Sequence, residues 1–147
     1  MSVRPLCMFN NPILKQKCED ITEYNEELLV IIQDMEDTMK KNDGIGLAAP
    51  QIGVTKRVII VTDIKSETIL PLINPIIIYR EGSIEGFEGC LSYPKLNRKI
   101  KRPEIIKVKF NLPNGEETEI EAEGLQARII CHEVDHLSGV CKVGNKK

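Results

Sequence analysis

The sequence predicts an α+β fold in one domain, with an early helix, antiparallel β-sheets and a buried late helix. Three observations carry that reading. Apolar residues recur at helical spacing towards both ends of the chain, short branched runs broken by proline fill the middle, and two alternating segments flank a Pro113-Asn114-Gly115 turn. The 147 residues suffice for one continuous core across 1–147, and no repeat, linker or low-complexity stretch divides them.

The first helix is expected from Asn25 to Lys41. Leu28, Ile32, Met35 and Met39 fall at three- and four-residue steps among acidic residues, and Asn25 can cap a first turn that holds Glu26 and Glu27. From Asn42 to Gly53 three glycines and Pro50 break the period, which predicts a loop or an irregular edge strand. Arg57 to Val61 and Ile69 to Tyr79 read as strands, because they are short, branched and, in the second case, punctuated by Pro71 and Pro75. Ile106, Val108 and Phe110 alternate with lysines, and Ile120 and Ala122 alternate with glutamates, so the segments around the turn form a hairpin with one solvated face. The last helix, from about Leu125 to Leu137, carries Leu125, Ile129, His132 and His136 on one face.

Composition excludes several classes of function. With 41% hydrophobic and 29% charged residues the chain is of globular type, and a net charge of -2 does not suit a DNA-binding surface. The one basic run, Lys95, Arg98, Lys99, Lys101 and Arg102, has no interleaved aromatics and reads as a solvated strand or loop. No stretch approaches the ~20 apolar residues of a membrane span. Five cysteines without a C-x-x-C pair are an odd set that fits free thiols in a reducing compartment, so a cytoplasmic protein is expected.

His132-Glu133-Val134-Asp135-His136 is the strongest chemical feature. Residues four apart on a helix share a face, so two imidazoles can converge on one metal ion, which supplies Lewis acidity and lowers the pKa of a water while the glutamate moves protons. Taken alone, such a pair also occurs on surfaces or satisfied in a core. A catalytic centre needs a third protein ligand and an open position. Cys90, in Glu88-Gly89-Cys90-Leu91-Ser92, offers a thiolate after a glycine suited to a tight turn; by itself it also reads as a buried packing thiol. Cys131 is the rival, but it is rotated by about 100° from His132 on the helix and should point away. Cys7, Cys18 and Cys141 are assigned to packing or surface, and no fourth His or Cys is expected at ligand spacing.

The segment Gly44-Ile45-Gly46-Leu47-Ala48-Ala49-Pro50-Gln51-Ile52-Gly53 permits close backbone approach, and Gln51 offers an amide donor for an oxyanion. It lacks the spacing of a dinucleotide or nucleotide phosphate loop. Together, in order, GIGLAAPQIG, EGCLS and HEVDH resemble the three signature motifs of the bacterial-type peptide deformylase family, with similar flanking sequence from Asn11 to Gly139.

That resemblance implies hydrolysis of the N-formyl group from the initiator methionine of newly made proteins, with release of formate. It implies Cys90, His132 and His136 as metal ligands, Glu133 as general acid and base, and Gln51 with the backbone N–H of Leu91 as oxyanion donors. The backbone of Gly46 would pair with the substrate peptide. The metal implied is Fe2+, with Zn2+, Ni2+ and Co2+ as forms also found in the family, and the partners are N-formylmethionyl nascent chains with a transient ribosome contact. An apolar methionine pocket is expected from Ile45, Leu125 and Ile129, each of which also reads as ordinary core.

The chain departs from the family pattern in three places. Cys131 stands where a glutamine is usual, Val140-Cys141-Lys142-Val143 replaces an apolar stretch, and a basic loop from Lys95 to Lys101 lacks a glycine often found there. Asp135 is read as an anchor for Arg102 or Arg128, or as a solvated helix residue. A structural metal domain would require a fourth ligand, and a degenerate binding protein would be expected to have lost Glu133, Cys90 or Gln51.

Overall fold

The computed structural model describes residues 2–144. Helix α1 spans Glu26–Lys41, with the Asn25 side chain accepting from the Leu28 N–H as the expected cap. Seven strands follow: β1 Gly46–Ala48, β2 Val58–Thr62, β3 Ile69–Glu81, β4 Ile84–Cys90, β5 Tyr93–Arg102, β6 Ile105–Asn111 and β7 Glu117–Glu123. Helix α2, Gly124–Leu137, closes the order. Strands β1-β2-β3-β6-β7 form one antiparallel sheet in that spatial order, and β4-β5 form a separate two-stranded ribbon.

The five-stranded sheet is covered on both faces where β1 and β2 lie. Ile59, Val61 and Ala48 pack with Ala127, Ile129 and Ile130 of α2, whereas Val58, Ile60 and Leu47 pack with Leu28, Ile32, Met35 and Met39 of α1. This is why β2 reads as an unbroken apolar run rather than an alternating one. It also fixes the direction of Gly46, which shares the parity of Ala48 and so faces α2.

Both prolines of β3 find permitted places. Pro71 lies where β3 pairs with β2 alone, and Pro75 falls at a register shift between Ile73 and Ile76. The predicted edge strand is β1, which pairs only with β2 and runs into a 3-10 turn, Ala49–Ile52, that carries Gln51.

The ribbon corrects three expectations. Residues Lys95 to Lys101 are not a loop but part of β5, paired with β4 from Ile84↔Arg102 to Cys90↔Tyr93. Within the basic run Arg102 is not solvated; it is buried, at 3% exposure, against two carboxylates. Gly89 does not make a tight turn either. It lies in extended β4 at a register shift between Glu88 and Cys90, and the turn follows at Leu91-Ser92.

Candidate active site

Helix α2 supplies the centre of the site through two stripes offset by one residue. Arg128, His132 and Asp135 face the ribbon, Ile129 and Glu133 face Gly46 of β1, and His136 reaches Cys90 at the end of the ribbon. The ribbon is fastened to this helix by Arg128, whose guanidinium donates to the carbonyls of Ile84 and Ile100 at 2.8 Å and to Glu88 at 2.8 Å. That attachment carries Cys90, at the end of β4, to the two histidines.

Glu88 is the hub of the polar network. Its carboxylate accepts two hydrogen bonds from Arg102, at 2.8 and 2.9 Å, one from Arg128, and pairs with Nδ1 of His132 at 3.0 Å. Arg102 in turn bonds Asp135 at 2.7 Å, which settles the partner of that aspartate. Burial pushes the Glu88 carboxyl up, but the hydrogen bonds from Arg102 and His132 overcome it and hold the group down at about 2. Burial opposes a charged His132 as well, and the Glu88 hydrogen bond outweighs it, so the imidazole is raised to about 9. With Nδ1 engaged by Glu88, Nε2 of His132 is the nitrogen left to face the site. Sequence reasoning passed over this residue; its place two before Cys90 and on the same strand is the signal that could have found it.

Four donors converge beyond that network. The ligand atoms of Cys90, His132, His136 and Cys141 all lie within 4.8 Å of one another, and Cys90 Sγ is 3.4 Å from His136 Nε2. Two imidazoles and thiols packed this closely, with only their own hydrogen bonds between them, fit a divalent first-row metal ion. Cys131 is in the apolar core, as its rotation on the helix requires, but Cys141 is not a packing residue remote from the site. The thiols are unequal: the hydrogen bond from Cys90 holds Cys141 down, and the same bond with burial pushes Cys90 up.

Glu133 is buried beside the cluster, and its Oε1 has no hydrogen-bond partner among the described residues. Burial raises its pKa against the opposing pull of His132 and His136. It fits there because residue 46 is glycine: a Cβ on Gly46 would lie 2.6 Å from Glu133 Oε2 and 3.1 Å from Ile129 Cγ2. Gln51, only 2% exposed, has its Oε1 taken by the Ala48 N–H, which turns its NH2 to Ser92 Oγ at 3.0 Å and towards Cys90 Sγ at 3.7 Å.

One groove of about 450 Å3 is lined by Ile45, Gly46, Gln51, Cys90, Leu91, His132 and Glu133. A cavity of about 120 Å3 adjoins it, walled by Ile45, Leu125, Ile129 and Phe87. Ile45 and Leu125 are half exposed, so they are rim rather than core, whereas Ile129 is shared between core and cavity. Phe87 also stands exposed on this wall, a residue the sequence offered no reason to select.

A helix bearing HEVDH against a small antiparallel sheet, with a thiol from a neighbouring strand and an unpaired carboxylate oxygen at a groove, defines a metal-dependent hydrolase. The chain matches the model of the family described as polypeptide deformylase over residues 3–145. It is 47% identical over 140 residues to the peptide deformylase of Thermoanaerobacter pseudethanolicus, covering 95% of this chain and 87% of that one. It superposes on the crystal structure of peptide deformylase from Thermotoga maritima with a TM-score of 0.94 and 35% identity, covering 100% of this chain and 99% of that one. The actinonin-bound class I type b peptide deformylase from Acinetobacter baumannii gives a TM-score of 0.92 at 34% identity with full coverage of both. The chain belongs to the polypeptide deformylase family.

Proposed function

We propose that this chain removes the N-formyl group from the methionine that begins newly synthesised proteins, working as one catalytic domain in the cytoplasm. The observation that carries the reading is the unpaired, buried Glu133 carboxylate beside a convergent Cys90, His132 and His136 set. Those three residues would hold a divalent metal, Fe2+ on the family resemblance, and the metal supplies Lewis acidity and an activated water. Its identity is decided by supply as much as by donors, since Zn2+, Ni2+ and Co2+ suit the same set.

The residues divide the remaining work. Glu133 takes a proton from the attacking water and delivers one to the departing amine; burial keeps its carboxyl able to hold that proton between the two events. The Gln51 NH2, fixed in direction by Ala48, donates to the oxygen on which negative charge develops, with the Leu91 N–H from the turn after Cys90 as its companion. Gly46, on the edge strand β1, offers main chain to an extended peptide, because β1 is paired on one side only. Ile45, Leu125 and Ile129 receive the methionine side chain in the adjoining cavity. No helix among the described residues is long and apolar enough to cross a membrane, and a transient contact with the ribosome would bring the site to nascent chains.

The test is formate release from formyl-methionyl peptides by anaerobically purified, metal-loaded protein. Glu133→Ala is expected to keep its metal and lose activity by at least about 100-fold. No formate from the loaded wild type would remove the proposal. Actinonin, which the Acinetobacter relative binds, is expected to inhibit.

A further inference from the structure

The fourth member of the donor cluster has no part in the reaction as set out so far. We propose that Cys141 is a fourth protein ligand of the metal, so that two imidazoles and two thiolates would hold the ion. This rests on the reading that Cys90, His132 and His136 hold the ion.

The geometry suits coordination. For a tetrahedral ion with metal–sulfur bonds of about 2.3 Å and metal–nitrogen bonds of about 2.05 Å, sulfur and nitrogen stand about 3.6 Å apart and two sulfurs about 3.8 Å. Cys90 Sγ and His136 Nε2 are 3.4 Å apart, and all four donors fall within 4.8 Å. The Cys141 thiol is turned inward among the other donors, its Sγ within 4.8 Å of Cys90 Sγ and of a ring nitrogen of both His132 and His136.

The backbone makes this placement deliberate. Helix α2 ends in a paired turn in which Val140 N–H donates to the Asp135 carbonyl at 3.0 Å and Gly139 N–H to the His136 carbonyl at 3.1 Å. Gly139, at φ +77, reverses the chain so that residue 141 returns beside residue 136. A second turn holds it there: Gly144 N–H donates to the Cys141 carbonyl at 3.1 Å, and Val143 and Ile100 pack around the thiol. Cys18 and Cys131 are equally buried, yet both lie among apolar core side chains and neither joins the cluster.

Two thiolates would cancel the charge of a divalent ion, and Cys141 would add its bond from the side of Ile100 and Val143, away from the groove lined by Cys90, His132 and Glu133. Each thiol gives its proton to solvent as it binds. Cys141 would thus act as a retention ligand beside Cys90, His132 and His136.

Cobalt(II) loaded anaerobically in place of the native ion reads the ligand set directly. Sulfur-to-cobalt charge-transfer absorption, measured per bound cobalt, is expected to fall to about half in Cys141→Ser and in Cys141→Val, and to be unchanged in Cys131→Ser. A chelator should remove cobalt from both Cys141 variants at least about tenfold faster. X-ray absorption on the wild type should find two sulfur neighbours at about 2.3 Å, a result that needs no variant to fold. One sulfur neighbour, with unchanged absorption in the Cys141 variants, overturns the fourth ligand and leaves the three-ligand centre standing. A wild type that binds cobalt without any sulfur bond overturns both.

Discussion

Glu88 does for His132 what no protein group does for His136, whose buried Nδ1 has no partner among the described residues. A carboxylate on the outer nitrogen fixes the ring's tautomer and direction and raises its strength as a ligand. Glu88→Gln should therefore weaken metal affinity by about 10- to 100-fold, measured by competition with a chromophoric chelator. The same substitution has a pH signature in metal-free protein. Because the folded carboxyl is held at about 2, below its ordinary 4.5, Glu88 contributes stability that is complete above pH 4.5 and is lost as pH falls towards 2. Acid unfolding followed by circular dichroism should lose that part of its slope in Glu88→Gln. Gly46 bears on the other reactive group. A methyl there meets Glu133 Oε2 at 2.6 Å and Glu133 Cγ at 3.0 Å, so Gly46→Ala should displace the carboxylate and lower kcat by about 100-fold with metal content unchanged. Equal loss of metal and activity would show instead that the whole helix had moved.

At the scale of elements, what was legible in the sequence depended on how each element is buried. Helices α1 and α2, strands β2 and β3 and the β6–β7 hairpin bury apolar faces, so their spacing announces them. Strands β4 and β5 do not. Their apolar residues Ile84, Phe87 and Leu96 are exposed and only Ile100 of β5 joins a core cluster, while Glu88 and Arg102 are buried towards α2, so the period-2 signal is carried largely by an ion pair that composition reads as surface charge. The site followed the same rule. Cys90, His132 and Glu133 were legible because helical spacing and motif order place them, whereas Cys141 reaches the cluster through a chain reversal that no periodicity encodes. That reversal is testable. A Cβ on Gly139 would lie 2.4 Å from the Lys15 carbonyl oxygen and 2.6 Å from its carbon, in a backbone conformation that L side chains resist. Gly139→Ala should cost on the order of 2 kcal/mol or more in denaturant unfolding, and cobalt absorption should fall with it as Cys141 is pulled from the ion.

Across the whole molecule the metal centre joins parts that otherwise meet little. His132 and His136 belong to the helix beneath the main sheet, Cys90 to the end of a two-stranded ribbon, and Cys141 to the segment beyond the helix. A ribbon of two strands has marginal stability alone, and here its fastening to the helix depends on Glu88, Arg102 and Arg128, buried charges that stabilise only while all are paired. An ion bound by ligands from all three parts binds the folded state and not the unfolded one, so it adds stability by mass action, about 2.7 kcal/mol at a free concentration of 100 times Kd. Stripping the metal should therefore lower Tm by roughly 8 °C for a chain of this size. The loss should not be uniform. Hydrogen exchange should quicken most in β4, β5 and residues 138–144, where the ion supplies the connection, and least in β2, which is buried between the two helices. Equal acceleration throughout, with the ribbon no more affected than β2, would mean that the metal serves chemistry alone and that the ribbon is held by its charge network without it.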